Sequence, residues 1–458
     1  MAQTQPYRPD PRILELGAEF FDAVAPARFP AAIERFVNHR AAATVGLQDT
    51  DWAAHFHRFE ALPGNLPTPL ALRYHGHQFR TYNPDLGDGR GFLFAQLRDG
   101  EGRLLDLGTK GSGTTPWSRA GDGRLTLKGA VREVLASEML EALGVRTSRT
   151  FAVFETGEAL VRGDEPSPTR GAVLTRLSHG HIRIGSFQRL AWFEDRDGLA
   201  RLTRYCLEHL YGIAPTGNDG ADALALFDRV AAATARLAAS YLAAGFVHGV
   251  LNTDNIAITG ESFDYGPWRF AEFWDPDFTA AYFDHHGLYA FGRQPEAIQW
   301  NLAQFAGCLV HLADAAPLND GLQAWGEAFH RELATALVAR LGIAAADHAD
   351  ADRVLARLLL AALGRQDVAI DRLFFDWRGG RDPGGAHFAA PEYRALAEAL
   401  VGRGRAASHP YWSDPAPCSL LIDEVEAIWA AIAERDDWTP FEAKVVAIRR
   451  VGEAMLSH

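Results

Sequence analysis

The sequence predicts an α+β fold with two lobes, an N-terminal extension and a helical C-terminal region. Two observations predict this class. Short apolar stretches bounded by Gly or Asp, which are typical of strands, are concentrated between residues 91 and 178. After about residue 186 the spacing of apolar residues becomes mostly helical. A small sheet with one helix, followed by a large helical lobe, accounts for this order.

The strand-rich part contains one clear helix. Its apolar residues recur at helical spacing over residues 128–143, and Gly144 provides a stop signal. Residues 1–70 instead mix short helical patterns with Pro breaks, and we expect them to wrap the core as an extension. The strands predicted around the helix span residues 91–97, 103–107, 150–155 and 172–177.

The helical part is led by a long Ala- and Leu-rich segment at residues 221–244. Gly245 follows it directly and is a suitable C-terminal cap. Because the apolar spacing persists to the end of the sequence, we expect the rest to be helical as well. Further helices are predicted at residues 296–315, 321–341, 351–364, 390–402, 419–434 and 441–455.

Composition narrows the class of protein. The 458 residues are 48% apolar and 22% charged, which is ordinary for a globular protein. The net charge of −13 and the lack of a basic run argue against binding to nucleic acid or an anionic membrane. Three distant cysteines without a CxxC pair argue against a disulfide framework or a zinc site. Without a signal-peptide pattern or a membrane-spanning stretch, we expect a cytoplasmic protein.

Two copies of the sequence Gly-Asp-Gly-Arg lie in the strand-rich part. The first contains Gly87, Gly89 and Arg90 and precedes a predicted strand, and the second contains Asp122 and Gly123. Glycine lets the backbone approach a phosphate, and arginine pairs well with phosphate oxygens. Each copy also fits an ordinary turn, so both interpretations stay open at this point.

Four charged residues of this part could act on a nucleotide. Lys110 follows a predicted strand, and Glu133 lies beside the apolar stripe of the next helix. A strand lysine that bridges phosphates and is aligned by a helix glutamate is known in phosphate-transfer enzymes. Arg176 and Arg183 could neutralise a triphosphate tail. The alternative is that these residues are solvated or salt-bridged at the surface.

The strongest signal comes after the long helix. A loop dense in Asn and Asp contains Asp254 and Asn255, and an Asp-aromatic-Gly sequence begins shortly afterwards at Asp264. Asn255 and Asp264 could supply oxygen ligands to Mg²⁺, leaving Asp254 to orient or deprotonate an attacking hydroxyl. The alternative is an Asx-rich turn beside a hairpin. We prefer the catalytic interpretation because glycine loop, lysine, glutamate and acidic loops occur in the order found in protein kinases.

Several histidines invite a metal-site interpretation. They form the pairs His75 with His77 and His285 with His286. Because no further ligands occur at suitable spacing, we interpret them as hydrogen-bonded structural residues.

In its motifs the sequence resembles the selenoprotein O (YdiU) family, kinase-like proteins that transfer AMP rather than phosphate. The motifs are long, occur in sequence order and span roughly residues 30 to 310. They are YHGHQF at 74–79, LGDGRG at 86–91, KGSGTTP at 110–116, SR at 118–119 with GDGR at 121–124, RE at 132–133 with ASE at 136–138, HGV at 248–250 with NTDN at 252–255, DYGP at 264–267, and DH at 284–285 with Gly287.

The resemblance implies a two-lobed, protein-kinase-like fold and assigns roles by position. It implies that Asp254 is the base and that Asn255 and Asp264 bind the metal, Mg²⁺ or Mn²⁺. It also implies that ATP binds reversed relative to ordinary kinases, so that the terminal phosphate is buried and the α-phosphate faces the acceptor. The residues that would contact the nucleotide are Gly87, Gly89, Arg90, Lys110, Asp122, Gly123, Arg176, Arg183 and Asp264, with Glu133 aligning Lys110.

The chain departs from the family in its last part. Family members often end with a redox-active cysteine or selenocysteine that can bridge to a cysteine near the Asp-His-x-Gly segment. Neither the C-terminal residues 455–458 nor residues 279–281 contain a cysteine. We therefore do not expect redox control by that disulfide, and residues 375–458 resemble the family poorly.

We expect a protein adenylyltransferase, which moves AMP from ATP to a Ser, Thr or Tyr hydroxyl of a protein. The alternatives are a conventional phosphotransferase and a nucleotide-binding scaffold without turnover. The sequence leaves open AMP or UMP transfer, the acceptor protein and the oligomeric state. The expected parts are an extension at residues 1–70, a first lobe with the nucleotide loop at 71–185, a second lobe with the catalytic and metal loops at 186–330, and a helical region at 331–458.

Overall fold

The strand-rich part of the sequence forms one antiparallel sheet. The computed structural model describes residues 5–163, 165–346 and 348–457. The strands among the described residues are β1 (Phe21–Ala23), β2 (Ile33–Val37), β3 (Leu70–Leu72), β4 (Gly76–Gln78), β5 (Thr81–Asn83), β6 (Leu93–Arg98), β7 (Leu104–Lys110), β8 (Leu125–Thr126), β9 (Arg149–Leu160), β10 (Thr169–Ser178), β11 (Phe246–Val247) and β12 (Arg269–Phe270). The main sheet has the order β1-β3-β6-β7-β10-β9-β2, with β8 also paired to β10, while β4–β5 and β11–β12 are separate pairs.

The helices follow the same division along the chain. Three belong to the first 150 residues, and the others form the second lobe and the C-terminal region. They are α1 (His39–Val45), α2 (Trp52–Phe56), α3 (Leu127–Ala142), α4 (Ile184–Trp192), α5 (Arg196–Tyr205), α6 (Asp219–Ala244), α7 (Gln294–Leu309), α8 (Ala315–Leu341), α9 (Ala349–Leu363), α10 (Ile370–Asp376), α11 (Pro391–Leu400), α12 (Ile422–Arg435) and α13 (Thr439–Leu456).

Side-chain alternation along the central strands places the sheet between two apolar cores. Leu93 and Leu174 point to the face covered by α3, and their neighbours Phe94 and Val173 point to the face covered by α1 and α2. Because successive residues of a strand face opposite sides, strands buried on both faces are apolar throughout. This explains the short apolar runs at residues 93–95 of β6, 104–105 of β7 and 172–174 of β10.

The second lobe is built around α6, whose Ala- and Leu-rich surface packs against α7 and α8. The helix ends at Gly245, which takes the left-handed conformation at φ 69° that glycine adopts without strain. The chain then enters β11 and the loop that carries Asp254. The position of this loop is thus fixed by the end of the best-packed helix of the lobe.

The C-terminal helices pack back onto the first lobe. Helix α13 lies against α3, where Gly452 faces Ala142 and the Arg449 guanidinium contacts the Glu138 carboxylate at 2.7 Å. Lys128, near the start of α3, pairs with Glu426 of α12 at 2.7 Å. Helix α3 is therefore held from behind by the end of the chain.

The structure confirms the α+β class and the two-lobed, kinase-like arrangement. Within the segment predicted as an extension, β1 and β2 join opposite ends of the main sheet by pairing with β3 and β9. The sequence pattern did not predict these strands because they are short, half-exposed edge strands without a clear apolar alternation. Helices α4, α5 and α10 have only seven to ten residues and are not predicted individually either.

The structure also shows the surroundings of the cysteines and of the paired histidines His75 and His77. Cys206, Cys308 and Cys418 are free thiols. His75 bonds to the Tyr82 hydroxyl at 2.8 Å, and His77 bonds to the Gln188 amide at 2.7 Å, as expected of structural histidines. No cluster of three or more His, Cys, Asp or Glu suited to a metal occurs in the described ranges. None of the helices described above is both long and apolar enough to cross a membrane.

Candidate active site

A cleft of about 730 Å³ opens between the main sheet and the loops that follow α6. Its lining is dominated by polar and charged side chains from both lobes, which suits a charged ligand more than an apolar one. Glu133 lies immediately behind this lining, while Asn255 is not part of it. The predicted residues that line the cleft are Gly87, Gly89, Arg90, Lys110, Asp122, Gly123, Arg176, Arg183, Asp254 and Asp264.

Lys110 and Glu133 form a buried ion pair. Lys110 is the last residue of β7, Glu133 lies on α3, and the Lys110 Nζ to Glu133 Oε2 distance is 2.7 Å. The same ammonium lies 3.0 Å from Asp264 Oδ1. Neither Lys110 nor Glu133 is a solvated surface residue. A buried lysine fixed between two carboxylates is aligned for a further anion, as in phosphate-transfer sites.

Asp264 is paired with two cations of the cleft. It accepts Lys110 at 3.0 Å and Arg176 at 3.5 Å, and its backbone has a left-handed φ of 62°. Burial by itself raises its pKa, but Lys110 and Arg176 outweigh burial and hold that pKa well below the usual range. Asp264 is therefore ionised at every physiological pH.

The carboxylate of Asp254, unlike that of Asp264, has a raised pKa. Its Oδ1 atom is buried and accepts no hydrogen bond from any residue that the structure describes. A side chain at Gly76 would come within 3.0 Å of this oxygen, so the glycine backbone closes over it. Burial raises the pKa of Asp254 to about 6, although Arg183 opposes the rise. A carboxylate with this pKa is ionised at neutral pH and can still accept a proton.

Arg176 and Arg183 are both buried rather than salt-bridged at the surface. Arg183 stacks on the Tyr74 ring at 4.1 Å, and its Nη1 atom donates to the Asp254 carbonyl at 3.1 Å. Its Nη2 atom contacts Asp88 Oδ1 at 3.3 Å. Because buried charges need partners, a cleft lined by Lys110, Arg176 and Arg183 suits a polyanionic ligand.

The sequence analysis gave no role to His181 or Asp106. The backbone N–H of His181 donates to Asp106 Oδ2 at 2.7 Å, and the ring Nδ1 lies 3.2 Å from the same oxygen. The ring Nε2 lies 3.4 Å from Arg176 Nε. Burial lowers the pKa of His181, so the ring is neutral: Nδ1–H faces the carboxylate and Nε2 accepts from Arg176. The only signal in the sequence was the His-rich run before Arg183.

The glycines of the two Gly-Asp-Gly-Arg copies have packing reasons for their identity. A side chain at Gly89 would meet the Trp117 carbonyl at 2.8 Å, and Gly123 has a φ of 67° against the backbone of Gly113. Asp122 is exposed at the rim, where it pairs with Arg162 at 2.8 Å. The glycines thus keep both loops close to neighbouring backbone, while Arg90 and Asp122 of the same loops line the cleft.

Asn255 and Asp264 provide the donor types that a divalent metal would need. The Asn255 amide nitrogen donates to the Val250 carbonyl at 2.9 Å, which leaves the amide oxygen available. Carboxylate and amide oxygens suit Mg²⁺ and Mn²⁺ equally. The residues present therefore fit such an ion.

Comparison with known proteins gives a consistent result. The model of the family described as "Protein adenylyltransferase SelO" matches residues 4–383. A "Protein nucleotidyltransferase YdiU" from Synechococcus elongatus is 42% identical, with 98% of this chain and 96% of the relative covered. The one from Gloeobacter violaceus is also 42% identical, over 96% and 95% of the two chains. The one from Rhizobium johnstonii is 34% identical, over 96% and 84%.

These matches extend the resemblance beyond the roughly 30–310 span of the motifs. The family model ends at residue 383, near the point where we expected the resemblance to weaken. The alignment with the Synechococcus elongatus protein nevertheless covers 98% of the chain, so most of the C-terminal region is aligned with this relative as well. The chain belongs to the SelO family of nucleotidyl-transferring enzymes.

Proposed function

We propose that this enzyme is a protein adenylyltransferase that moves AMP from ATP to a Ser, Thr or Tyr hydroxyl and releases pyrophosphate. The observation that supports this proposal is the convergence of Lys110, Arg176 and Arg183 on one cleft, all three buried. A leaving pyrophosphate carries several negative charges, and inside a protein these charges need several cationic partners. The pyrophosphate would bind beside these three cations in the cleft.

The reaction requires one proton acceptor and one leaving-group site. The acceptor hydroxyl gives its proton to the carboxylate of Asp254, which lines the cleft, and its oxygen forms a bond to the α-phosphorus. The bond from the α-phosphorus to the bridging oxygen of pyrophosphate breaks, and pyrophosphate leaves with that electron pair. Lys110 and Arg176 stabilise the leaving charge, and Glu133 holds Lys110 in place at 2.7 Å.

We further propose that the reaction depends on Mg²⁺ or Mn²⁺ held by Asn255 and Asp264. The ion would supply positive charge beside the phosphates, because the negative charge of a buried triphosphate exceeds the positive charge of the cleft cations. Removing the metal with a chelator should stop nucleotide transfer, and adding back Mg²⁺ or Mn²⁺ separately should rank the two ions.

The free thiols of the chain support action in a reducing compartment, the cytoplasm.

Label transfer tests the proposal. The purified full-length enzyme is incubated with protein acceptors and ATP labelled at either the α- or the γ-phosphate. We expect α-label in the protein and γ-label in released pyrophosphate. Protein or a small molecule marked only by γ-label would establish a phosphotransferase, and absence of both would establish a scaffold without turnover. A parallel reaction with α-labelled UTP decides between AMP and UMP.

A further inference from the structure

Three exposed aromatic side chains form a continuous patch, which we call the aromatic rim: Phe79, Tyr282 and Phe283. They are 37%, 81% and 41% exposed, although most large aromatic residues of the chain are buried. The Phe79 and Phe283 rings lie 5.8 Å apart, and the Phe283 and Tyr282 rings 5.1 Å apart. Contiguous apolar surface of this kind is characteristic of a binding site, whereas single exposed apolar residues are ordinary.

The aromatic rim is tied directly to the loop of Asp254. Phe79 lies at the tip of the β4–β5 hairpin, and its backbone N–H donates to Asn252 Oδ1 at 3.1 Å. The hydroxyl of Tyr289, whose ring packs on Phe79 at 5.0 Å, donates to the same oxygen at 2.7 Å. The N–H of His77 donates to Thr253 Oγ1 at 2.6 Å. The hairpin that carries Phe79 is therefore hydrogen-bonded to both residues that precede Asp254.

The hairpin also places the aromatic rim at the mouth of the cleft. Gln78 lines the cleft, while the next residue, Phe79, is exposed outside it. Phe79 and Arg80 have left-handed φ values of 49° and 62°, a conformation that residues other than glycine rarely adopt. This backbone turns the tip outward between the cleft and the Tyr282–Phe283 segment. Such strained positions cluster at binding sites, where the surrounding contacts maintain them.

We propose that the aromatic rim is the docking surface for the acceptor segment of the protein substrate, which anchors there through an aromatic or large aliphatic side chain near its hydroxyl residue. This rests on the proposed transfer to a protein hydroxyl. Two considerations favour this occupant: an acceptor must reach Asp254 from outside the cleft, and on the proposed function the phosphates of the nucleotide bind at the cations Lys110 and Arg176. The aromatic rim offers three exposed rings next to this entrance, and aromatic anchors dominate binding energy in protein interfaces.

The test uses a peptide library and the full-length enzyme. Each peptide carries one Ser, Thr or Tyr, and the flanking positions are either aromatic and aliphatic or Gly and Ser. With α-labelled ATP, we expect about tenfold higher kcat/KM for the apolar-flanked peptides, the gain of one well-buried anchor. Tyr282→Ala and Phe283→Ala should remove this preference and leave the Kd for ATP unchanged. Tyr282 is exposed enough that its truncation does not disturb packing.

A matched control comes from the second exposed aromatic pair, Trp192 and Phe193, which packs on Tyr82 and His75 instead. Phe193→Ala should keep the preference for apolar flanks. Two results would refute the docking proposal without affecting the proposed adenylyl transfer. One is labelling of the peptides without any preference for apolar flanks. The other is a preference that is lost in Phe193→Ala but kept in the rim variants. Dimerisation of the wild-type enzyme that is lost in Tyr282→Ala would assign the rim to a second copy and overturn the proposal. If wild-type enzyme labels neither peptides nor intact proteins, the proposed function fails and the rim fails with it.

Discussion

Asp254 and Asp264 lie on neighbouring loops of one cleft, yet the pKa values of their carboxylates are shifted in opposite directions. Burial raises the pKa of Asp254 to about 6, and its Oδ1 has no hydrogen-bond donor among the described residues. Asp264 contacts Lys110 at 3.0 Å and Arg176 at 3.5 Å, which keep its pKa well below the usual range. Two identical groups are thereby prepared for different tasks, one to take up a proton and one to remain charged.

The comparison teaches that charged neighbours can outweigh the loss of solvent in setting the pKa of a carboxylate, here for Asp264, whose side chain is still 30% exposed. Both groups lose solvent, which disfavours the charged form of each. Only Asp264 gains two cations at contact distance in return. The cations near Asp254 are directed elsewhere, since the Arg183 guanidinium donates to the Asp254 carbonyl rather than to its carboxylate. Changing the two residues separately should therefore give separable effects.

The largest effect is expected from Asp264→Ala. It removes the candidate metal ligand and one of the carboxylates that position Lys110, so α-label transfer should fall by roughly 10⁴-fold. Asp264→Asn, which keeps the size of the side chain, should show a similar loss if charge is the reason. Asp228→Ala, at an exposed position of α6, is the matched control and should retain full activity. Full α-label transfer by Asp264→Ala would refute the metal assignment.

Asp254→Asn should lower kcat by roughly 10³-fold and leave the Kd for ATP nearly unchanged, because a general base acts only on the acceptor proton. In the wild-type enzyme kcat should rise with pH as Asp254 loses its proton, with a midpoint near pH 6. Rates of label incorporation between pH 5 and 8 provide the measurement. A flat profile below pH 7, or a variant that changes mainly ATP affinity, contradicts the assignment of the base.

The same variant should stabilise the fold. Because the folded pKa of Asp254 lies above its unfolded value, the folded protein binds this proton more tightly, and the ionised carboxylate costs stability at high pH. This loss of stability disappears as the pH falls through 6 towards 4, because the carboxylate of Asp254 in the folded protein becomes protonated. At pH 8, Asp254→Asn should raise the free energy of unfolding of the nucleotide-free enzyme by up to about 3 kcal/mol. Urea unfolding at pH 8 and pH 4 measures it, and equal effects at both values would exclude this cause.

The smallest effect is expected at the cation end of the cleft. His181 contacts Asp106 on one side and Arg176 on the other, and His181→Gln disturbs both contacts. Arg176 should then lose its orientation, and ATP should bind about tenfold more weakly. The reduction in kcat should be smaller than the rise in Kd, because the base is untouched. His57→Gln, a buried histidine bonded to the Ala31 carbonyl away from the cleft, serves as control. Unchanged ATP affinity in His181→Gln would leave the histidine a packing residue.

Much of the fold was predictable because its signals are local. The Ala- and Leu-rich run of α6 and its cap at Gly245 predict a helix that ends where the structure ends it. The alternation of β10 is less visible, since a strand buried on both faces lacks a polar side. The edge strand β2 is missed for the opposite reason, because much of it is exposed and only its pairing with β9 makes it a strand.

The sequence by itself determined which residues are candidates for the site. Lys110, Glu133, Asp254, Asn255 and Asp264 stand out because glycine-flanked and Asx-rich loops are short-range patterns, and their order along the chain indicates a kinase-like site. What each group does was decided by the tertiary structure. The raised pKa of Asp254, the pairing of Asp264 and the attachment of the β4–β5 hairpin to Asn252 all depend on residues distant in sequence. Burial and charge pairing are properties of the folded surroundings, so no local pattern could have separated the two aspartates.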